Sequence, residues 1–156
     1  MKHLIPELEK IKARFPKAAT TASSMVLPCL HRIQDDRGWI AEEDIVDLAA
    51  YLEVPRVQID EVLSFYTMFR RKPVGRHRIE VCRNVSCSLL GAESLVEHLC
   101  ARLGIAPGET TADGRITLLT AECLASCGTG PMMAVDGAYH ERLTPEKVDA
   151  IIEGLK

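Results

Sequence analysis

Four of the six cysteines in this chain occur as two spaced pairs. The pairs are Cys82-Arg-Asn-Val-Ser-Cys87 and Cys123-Leu-Ala-Ser-Cys127. Four cysteine thiolates are the usual ligand set of an iron–sulfur cluster, and a gap of four residues is among the spacings used by [2Fe–2S] centres. If the pairs hold one metal site, the fold must bring two distant segments of the chain together.

Two other uses of four cysteines compete with an iron–sulfur cluster. Tetrahedral zinc also accepts four cysteine ligands, but gaps of four and three residues are wide for its short knuckles, whereas a cluster is larger than one ion. Disulfides are less favoured, because 156 residues can bury an ordinary core and the chain shows no secretory context. The spacing therefore favours iron and leaves a zinc-stabilised interaction module as an alternative.

The other potential site residues indicate no separate reaction. Cys29 and Cys100 fall on apolar stripes of predicted helices, where a small buried side chain is expected. The five histidines have no paired metal-binding spacing, and no nucleotide-binding loop or nucleophile elbow is present. We therefore expect an electron carrier that serves another protein, with no catalytic residues of its own.

Composition sets wide limits on the partners and the location. The chain is 47% hydrophobic and 26% charged, with a net charge of -3, which gives no drive toward nucleic acid or anionic membranes. A basic run at residues 70–78 lacks interleaved aromatic residues and is interpreted as a solvated linker or a docking patch. The N-terminal segment carries acidic residues where an export signal needs an apolar core, so a cytoplasmic location is expected. The weakly charged segment 116–135 contains two glycines and a proline, which predict strands and loop rather than a membrane span.

Hydrophobic periodicity divides the chain near residue 75. Apolar residues recur at three-to-four spacing through residues 1–74, which predicts a helical module with four helices. Residues 75–156 alternate between strand and helix patterns in the order β-α-β-β-β-α. The predicted class is therefore α+β, with an N-terminal helical bundle at 1–74 and a second domain at 75–156. In that domain we expect one helix from Leu90 to Leu103, a hairpin turning at Asp136-Gly137 and a last helix capped by Thr144.

Two local features suggest how the chain could support a cluster. A helix beginning shortly after Cys87 would direct its N-terminal N–H groups toward the first pair. Gly128 and Gly130 would let backbone groups approach the cluster sulfurs, although ordinary turn geometry explains both glycines equally well. Arg83 is interpreted as a solvated side chain.

A series of motifs in fixed order resembles a known family. The motifs are Phe65-Tyr66-Thr67-Met68-Phe69, Ile79-Glu80-Val81-Cys82 with Cys87 and Gly91, Gly108-Glu109-Thr110-Thr111-Ala112-Asp113-Gly114-Arg115, and Glu122-Cys123-Leu124 with Cys127 and Pro131. In these residues, and over nearly its whole length, the chain resembles the E subunit of bacterial NADH:quinone oxidoreductase (complex I). It departs at Ala125, where the family often has glycine.

The resemblance implies a specific fold and function. The fold would be a thioredoxin-like [2Fe–2S] ferredoxin domain without the redox C-x-x-C motif, and one cluster would be bound by Cys82, Cys87, Cys123 and Cys127. The partner would be a flavin-bearing F subunit that binds FMN and NADH, and the cluster would exchange single electrons with that flavin. The chain would be one subunit of the oxidoreductase, not catalytic alone, held at the inner membrane by the other subunits. Related subunits occur in NAD-linked hydrogenases and formate dehydrogenases, which the sequence does not distinguish.

Overall fold

A computed structural model describes residues 1–16 and 22–156 of the chain. The chain separates into two compact units, Met1–Pro73 and Val74–Lys156. Sequence periodicity placed the division one residue later, between residues 74 and 75.

The first unit is a helical bundle, as predicted. Its helices, after a 3₁₀ turn at Lys2–Leu4, are α1 (Ile5–Lys12), α2 (Ala22–Arg37), α3 (Glu42–Leu52) and α4 (Arg56–Phe65). The apolar stripes of these helices meet in one core, where Leu8, Leu30, Leu48 and Ile59 are fully buried. Cys29 lies in this core as expected, and burial raises the pKa of its thiol to about 11.

The second unit is a mixed sheet with helices, and its strands and helices follow the predicted order with one additional short helix, α5. Its elements are β1 (His77–Cys82), α5 (Val85–Leu89), α6 (Ala92–Leu103), β2 (Ile116–Ala121), a 3₁₀ turn (Cys127–Thr129), β3 (Met133–Val135), β4 (Ala138–His140) and α7 (Pro145–Gly154). The strands are ordered β2-β1-β3-β4, with β1 parallel to β2 and antiparallel to β3. Side chains of α6 and α7 pack with those of the strands in one core, which includes Ile79, Leu99, Leu118 and Val148. The α+β class is confirmed.

A short helix that the sequence did not predict precedes the predicted one. The helix expected from Leu90 to Leu103 is α6, which begins at Ala92, and the additional helix α5 contains Cys87 and ends at Leu89. Gly91 interrupts the path with a left-handed backbone (φ 93°), a conformation that glycine adopts at little cost, and α6 begins at the next residue. The contact expected between a helix N-terminus and the first cysteine pair is made by α5, because its N-cap residue Asn84 donates its N–H to the sulfur of Cys82.

The C-terminal hairpin and helix form as their local sequences predict. Asp136 and Gly137 both have positive φ, 52° and 87°, as a two-residue hairpin turn requires. Thr144 accepts a hydrogen bond from the backbone N–H of Lys147 (3.4 Å) and so caps α7. None of the helices in residues 1–16 and 22–156 has the length and apolar character needed to cross a membrane.

Candidate metal centre

The pairing of two parallel strands brings the cysteine pairs to one edge of the sheet. Cys82 is the last residue of β1, and its partner on β2 is Ala121, the last residue of that strand. Cys123 follows only two residues later. Since parallel strands end at the same edge, both cysteine-bearing loops leave the sheet side by side.

The first pair is buried and its two sulfurs are in contact. Cys82 and Cys87 form a small buried cluster with Ala92 and Met132, and the thiol of Cys87 donates a hydrogen bond to Cys82. Burial raises the pKa of Cys82, but hydrogen bonds from the N–H groups of Asn84 and other donors more than offset it, so the net pKa is lowered. Burial, with the adjacent Cys82, raises the pKa of Cys87. The two sulfurs of the pair therefore differ, with the pKa of Cys82 lowered and that of Cys87 raised.

The second pair lies on an exposed loop. Cys123 and Cys127 are both exposed, and the backbone N–H of Ala125 donates to the sulfur of Cys123 (3.3 Å). Ala125 has a left-handed backbone (φ 57°), which residues with a Cβ adopt at a cost and glycine adopts freely. Glycine at position 125 would adopt this conformation without that cost.

Backbone groups connect the two pairs. The N–H of Leu124, between the second-pair cysteines, donates to the sulfur of Cys82, and the Leu124 side chain packs on the buried cluster. Met132 accepts from the N–H of Cys82 (3.2 Å) and donates its own N–H to the sulfur of Cys87. The 3₁₀ turn that begins at Cys127 packs against α5, the helix that contains Cys87. The pairs are thus neighbours in space.

The donor set suits a cluster with two iron atoms. All six cysteines, each in the described part of the chain, are free thiols. Within residues 1–16 and 22–156, no three His, Cys, Asp or Glu side chains are arranged to hold one metal ion. A [2Fe–2S] cluster takes two ligands on each iron, so two neighbouring cysteine pairs with N–H donors at their sulfurs fit its requirements.

Gly128 and Gly130 were expected to let the backbone approach the cysteine sulfurs, and only Gly130 lies close to one. A Cβ at Gly130 would lie 3.3 Å from the sulfur of Cys87 and 3.0 Å from Cδ1 of Leu90. A Cβ at Gly128 would have no atom within 4 Å. Gly130 therefore lets the loop pack against the first pair, and Gly128 does not serve that purpose.

A carboxylate that sequence reasoning missed holds the exposed loop. The hydroxyl groups of Ser126 and Thr129 both donate to Oε1 of Glu141, the second at 2.6 Å, and these hydrogen bonds lower the pKa of Glu141. Ser126 and Thr129 flank Cys127, but Glu141 lies beyond the hairpin. The sequence offered only the two hydroxyl residues beside Cys127 as a signal.

This fold and this cysteine arrangement define a class of protein. Residues 8–156 match the family of thioredoxin-like [2Fe–2S] ferredoxins, and the chain belongs to that family. Its cofactor is accordingly a [2Fe–2S] cluster, as predicted.

Curated relatives confirm the resemblance seen in the sequence motifs. The chain is 39% identical over 150 residues to the second E subunit of the NADH-quinone oxidoreductase of Rhizobium meliloti (strain 1021), covering 96% of this chain and 87% of the relative. It is 37% identical over 150 residues to NADH-quinone oxidoreductase subunit 2 of Thermus thermophilus, covering 96% and 82%. It is 38% identical over 141 residues to the E subunit of the NADH-quinone oxidoreductase of Escherichia coli (strain K12), covering 90% and 81%.

A solved structure shows the same fold within a larger chain. The air-oxidized NAD+-reducing [NiFe]-hydrogenase matches with a TM-score of 0.70 and 28% identity. The match covers 81% of this chain but only 22% of the hydrogenase chain. The fold described here therefore also occurs as part of a longer polypeptide.

Proposed function

We propose that this chain is the electron-transfer subunit of the NADH-oxidising part of an NADH:quinone oxidoreductase. Cys82, Cys87, Cys123 and Cys127 bind its [2Fe–2S] cluster, and the partner is a flavin- and NADH-binding F subunit. The single observation that supports this most is the convergence of two free cysteine pairs at one sheet edge. The names of the curated relatives support the parent complex.

NADH gives two electrons together to FMN, as a hydride. A [2Fe–2S] cluster beside that flavin would accept and store electrons one at a time. The burial of the four cysteines determines from which side a partner can exchange electrons with the cluster. Cys82 and Cys87 are buried, while Cys123 and Cys127 are exposed. A cluster bound by these cysteines would be shielded from solvent near Cys82 and Cys87. It would be accessible to a partner near Cys123 and Cys127.

An apolar surface beside the cysteines is the proposed docking site for the F subunit. Val85, Leu89 and Leu90 are exposed by 66%, 83% and 55%, although they flank the buried Cys87. Water-exposed leucine and valine side chains grouped in this way are typical of the core of a protein interface. Their position next to the ligands favours the subunit that carries the flavin, because electron exchange requires the two cofactors to be close.

A second parent complex is supported by one observation. The structural match to the NAD+-reducing [NiFe]-hydrogenase suggests that the same subunit type serves hydrogen-linked NAD reduction. In either complex the chain would be cytoplasmic and attached to other subunits rather than inserted in the membrane. Formate dehydrogenases of related design remain an alternative, because the difference lies in the other subunits.

Metal analysis with cysteine variants tests the assignment of the ligands. In anaerobically purified protein we expect two irons and two acid-labile sulfides per chain, as a [2Fe–2S] cluster requires, and a paramagnetic resonance signal after reduction. Cys82→Ser and Cys127→Ser should each lose the cluster or bind it weakly. Cys100→Ser is the matched control and should keep the visible spectrum, since Cys100 packs on the sheet core.

Two outcomes would contradict the proposal. Protein that contains zinc and no iron would indicate a zinc-stabilised interaction module instead. Loss of the visible spectrum in Cys100→Ser would show that the four ligands are assigned wrongly.

A further inference from the structure

We propose that Glu141 is a positioning residue for the cluster, anchoring the loop that carries Cys127 and placing a negative charge beside that ligand. This inference rests on the proposed function, because it assumes that Cys127 binds the cluster. Glu141 acts through the hydroxyl groups of Ser126 and Thr129, which it holds.

The side-chain oxygens of Ser126, Thr129 and Glu141 form a triangle of short contacts. Ser126 and Thr129 donate to the same oxygen of Glu141, and their hydroxyl oxygens are 2.6 Å from each other. Hydrogen bonds to an ionised carboxylate are roughly twice as strong as those between neutral groups. Cys127 lies between the two donors in the chain, so the position of this exposed ligand depends on the triangle.

Backbone hydrogen bonds extend the anchor toward the buried pair. The N–H of Arg142 donates to the carbonyl of Thr129 (2.8 Å), and the N–H of Leu143 donates to the carbonyl of Pro131 (3.0 Å). Pro131 is followed by Met132, whose backbone hydrogen bonds with both Cys82 and Cys87. The segment after β4 therefore holds the whole stretch that joins the exposed ligand to the buried ligands.

The charge of Glu141 has a separate consequence. A cluster with four thiolate ligands is anionic, and its potential depends on net charge and on hydrogen bonding near its sulfurs. A carboxylate one hydrogen bond from the residue before Cys127 opposes the addition of an electron. Glu141 should therefore lower the reduction potential as well as stabilise the loop.

Four variants of the full, cluster-containing chain separate anchoring from charge. Glu141→Gln removes the charge but leaves an acceptor oxygen, so we expect normal cluster content and a higher reduction potential. Glu141→Ala removes both, so cluster loss to a chelator should be about tenfold faster, as expected for losing a charge-assisted hydrogen bond. Thr129→Val removes one donor and keeps the charge, so it should speed cluster loss without raising the potential. Glu153→Gln, an exposed acid at the end of α7, is the charge-matched control.

The measurements are a reductive titration followed by paramagnetic resonance, and the rate of bleaching in chelator. The inference is wrong if Glu141→Gln has the same potential as wild type and Glu141→Ala and Thr129→Val bleach at the wild-type rate. If Glu141→Ala does not fold, the potential of Glu141→Gln and the bleaching of Thr129→Val still decide the matter. Failure of the proposed function looks different, because the wild-type chain itself would then contain no iron.

Discussion

At residue 130 the backbone passes close enough to Cys87 to leave little room for a side chain. The Cβ that alanine would add lies 3.3 Å from the sulfur and 3.0 Å from the end of the Leu90 side chain. Leu90 is exposed and can move, but the sulfur is held in a buried cluster. The strain in Gly130→Ala should therefore fall mainly on the cysteine.

We predict that Gly130→Ala binds the cluster less firmly than wild type. Overpacking of this kind costs about 1–3 kcal/mol, which should appear as a lower iron content and a lower thermal midpoint. Gly128→Ala has open space at its Cβ and serves as the control, with both quantities near wild type. Full iron content and unchanged melting in Gly130→Ala would contradict the prediction.

Residue patterns predicted the candidate ligands but not their surroundings. Cysteine spacing alone indicated which four sulfurs to consider, because spacing is a property of the chain. The roles of Gly130 and Glu141 depend on contacts across distant residues, and neither position differs in the sequence from an ordinary turn glycine or surface acid. Between the two glycines that the sequence singled out, only the packed structure distinguishes the one with a close contact.

At the scale of elements, a histidine and an aspartate connect β1 to the hairpin turn. Nδ1 of His77 is 2.8 Å from the carboxylate of Asp136, and Nε2 is 3.0 Å from the carbonyl of Lys156. The Asp136 carboxylate, and next the Lys156 carbonyl, raise the pKa of His77 in the folded protein. The protonated form is therefore favoured by folding.

This predicts a pH dependence of stability. Because the pKa is raised on folding, the contribution of His77 is complete below its unfolded pKa near 6.5 and is lost as the pH rises through the folded pKa. His77→Gln should therefore destabilise the protein more at pH 6 than at pH 8.5, by less than about 1 kcal/mol since the pair is near the surface. Urea unfolding at both pH values measures the difference, and Asp136→Asn should show the same trend. A destabilisation that does not vary with pH would contradict it.

Most elements followed from local sequence, but the short helix α5 did not. Apolar stripes predicted the helices of the first unit, and Asp136-Gly137 and Thr144 predicted the turn and the cap. The helix expected from Leu90 begins at Ala92, after Gly91, and α5 spans only 5 residues, too few to show an apolar stripe. The left-handed backbone at that glycine separates α5 from α6.

At the scale of the whole molecule, the proposed partner makes a direct test possible. Leu89 is 83% exposed beside the first cysteine pair, so Leu89→Asp should weaken docking without disturbing the core. With the tagged chain, we expect about tenfold less flavoprotein to copurify, as for an apolar contact worth about 1.4 kcal/mol.

The control is Val57→Asp, which replaces an exposed apolar residue of the helical unit. Both variants should keep the visible spectrum of the wild type. Equal recovery of flavoprotein with Leu89→Asp and wild type would rule out the Val85–Leu89–Leu90 surface as the docking site. If even the wild-type tagged chain, purified from its native host, brings down no flavoprotein, the proposed partner is wrong.

The sequence by itself determined the helical and strand patterns, the order of elements apart from α5, the turn, the cap and the two cysteine pairs. These depend on residues close together in the chain, whose side-chain periodicity and backbone preferences act locally. Only the tertiary structure decided that β1 and β2 end at one sheet edge, that one pair is buried and the other exposed, and that Glu141 holds the exposed loop. Those features arise from contacts between segments far apart in sequence, which no local pattern records.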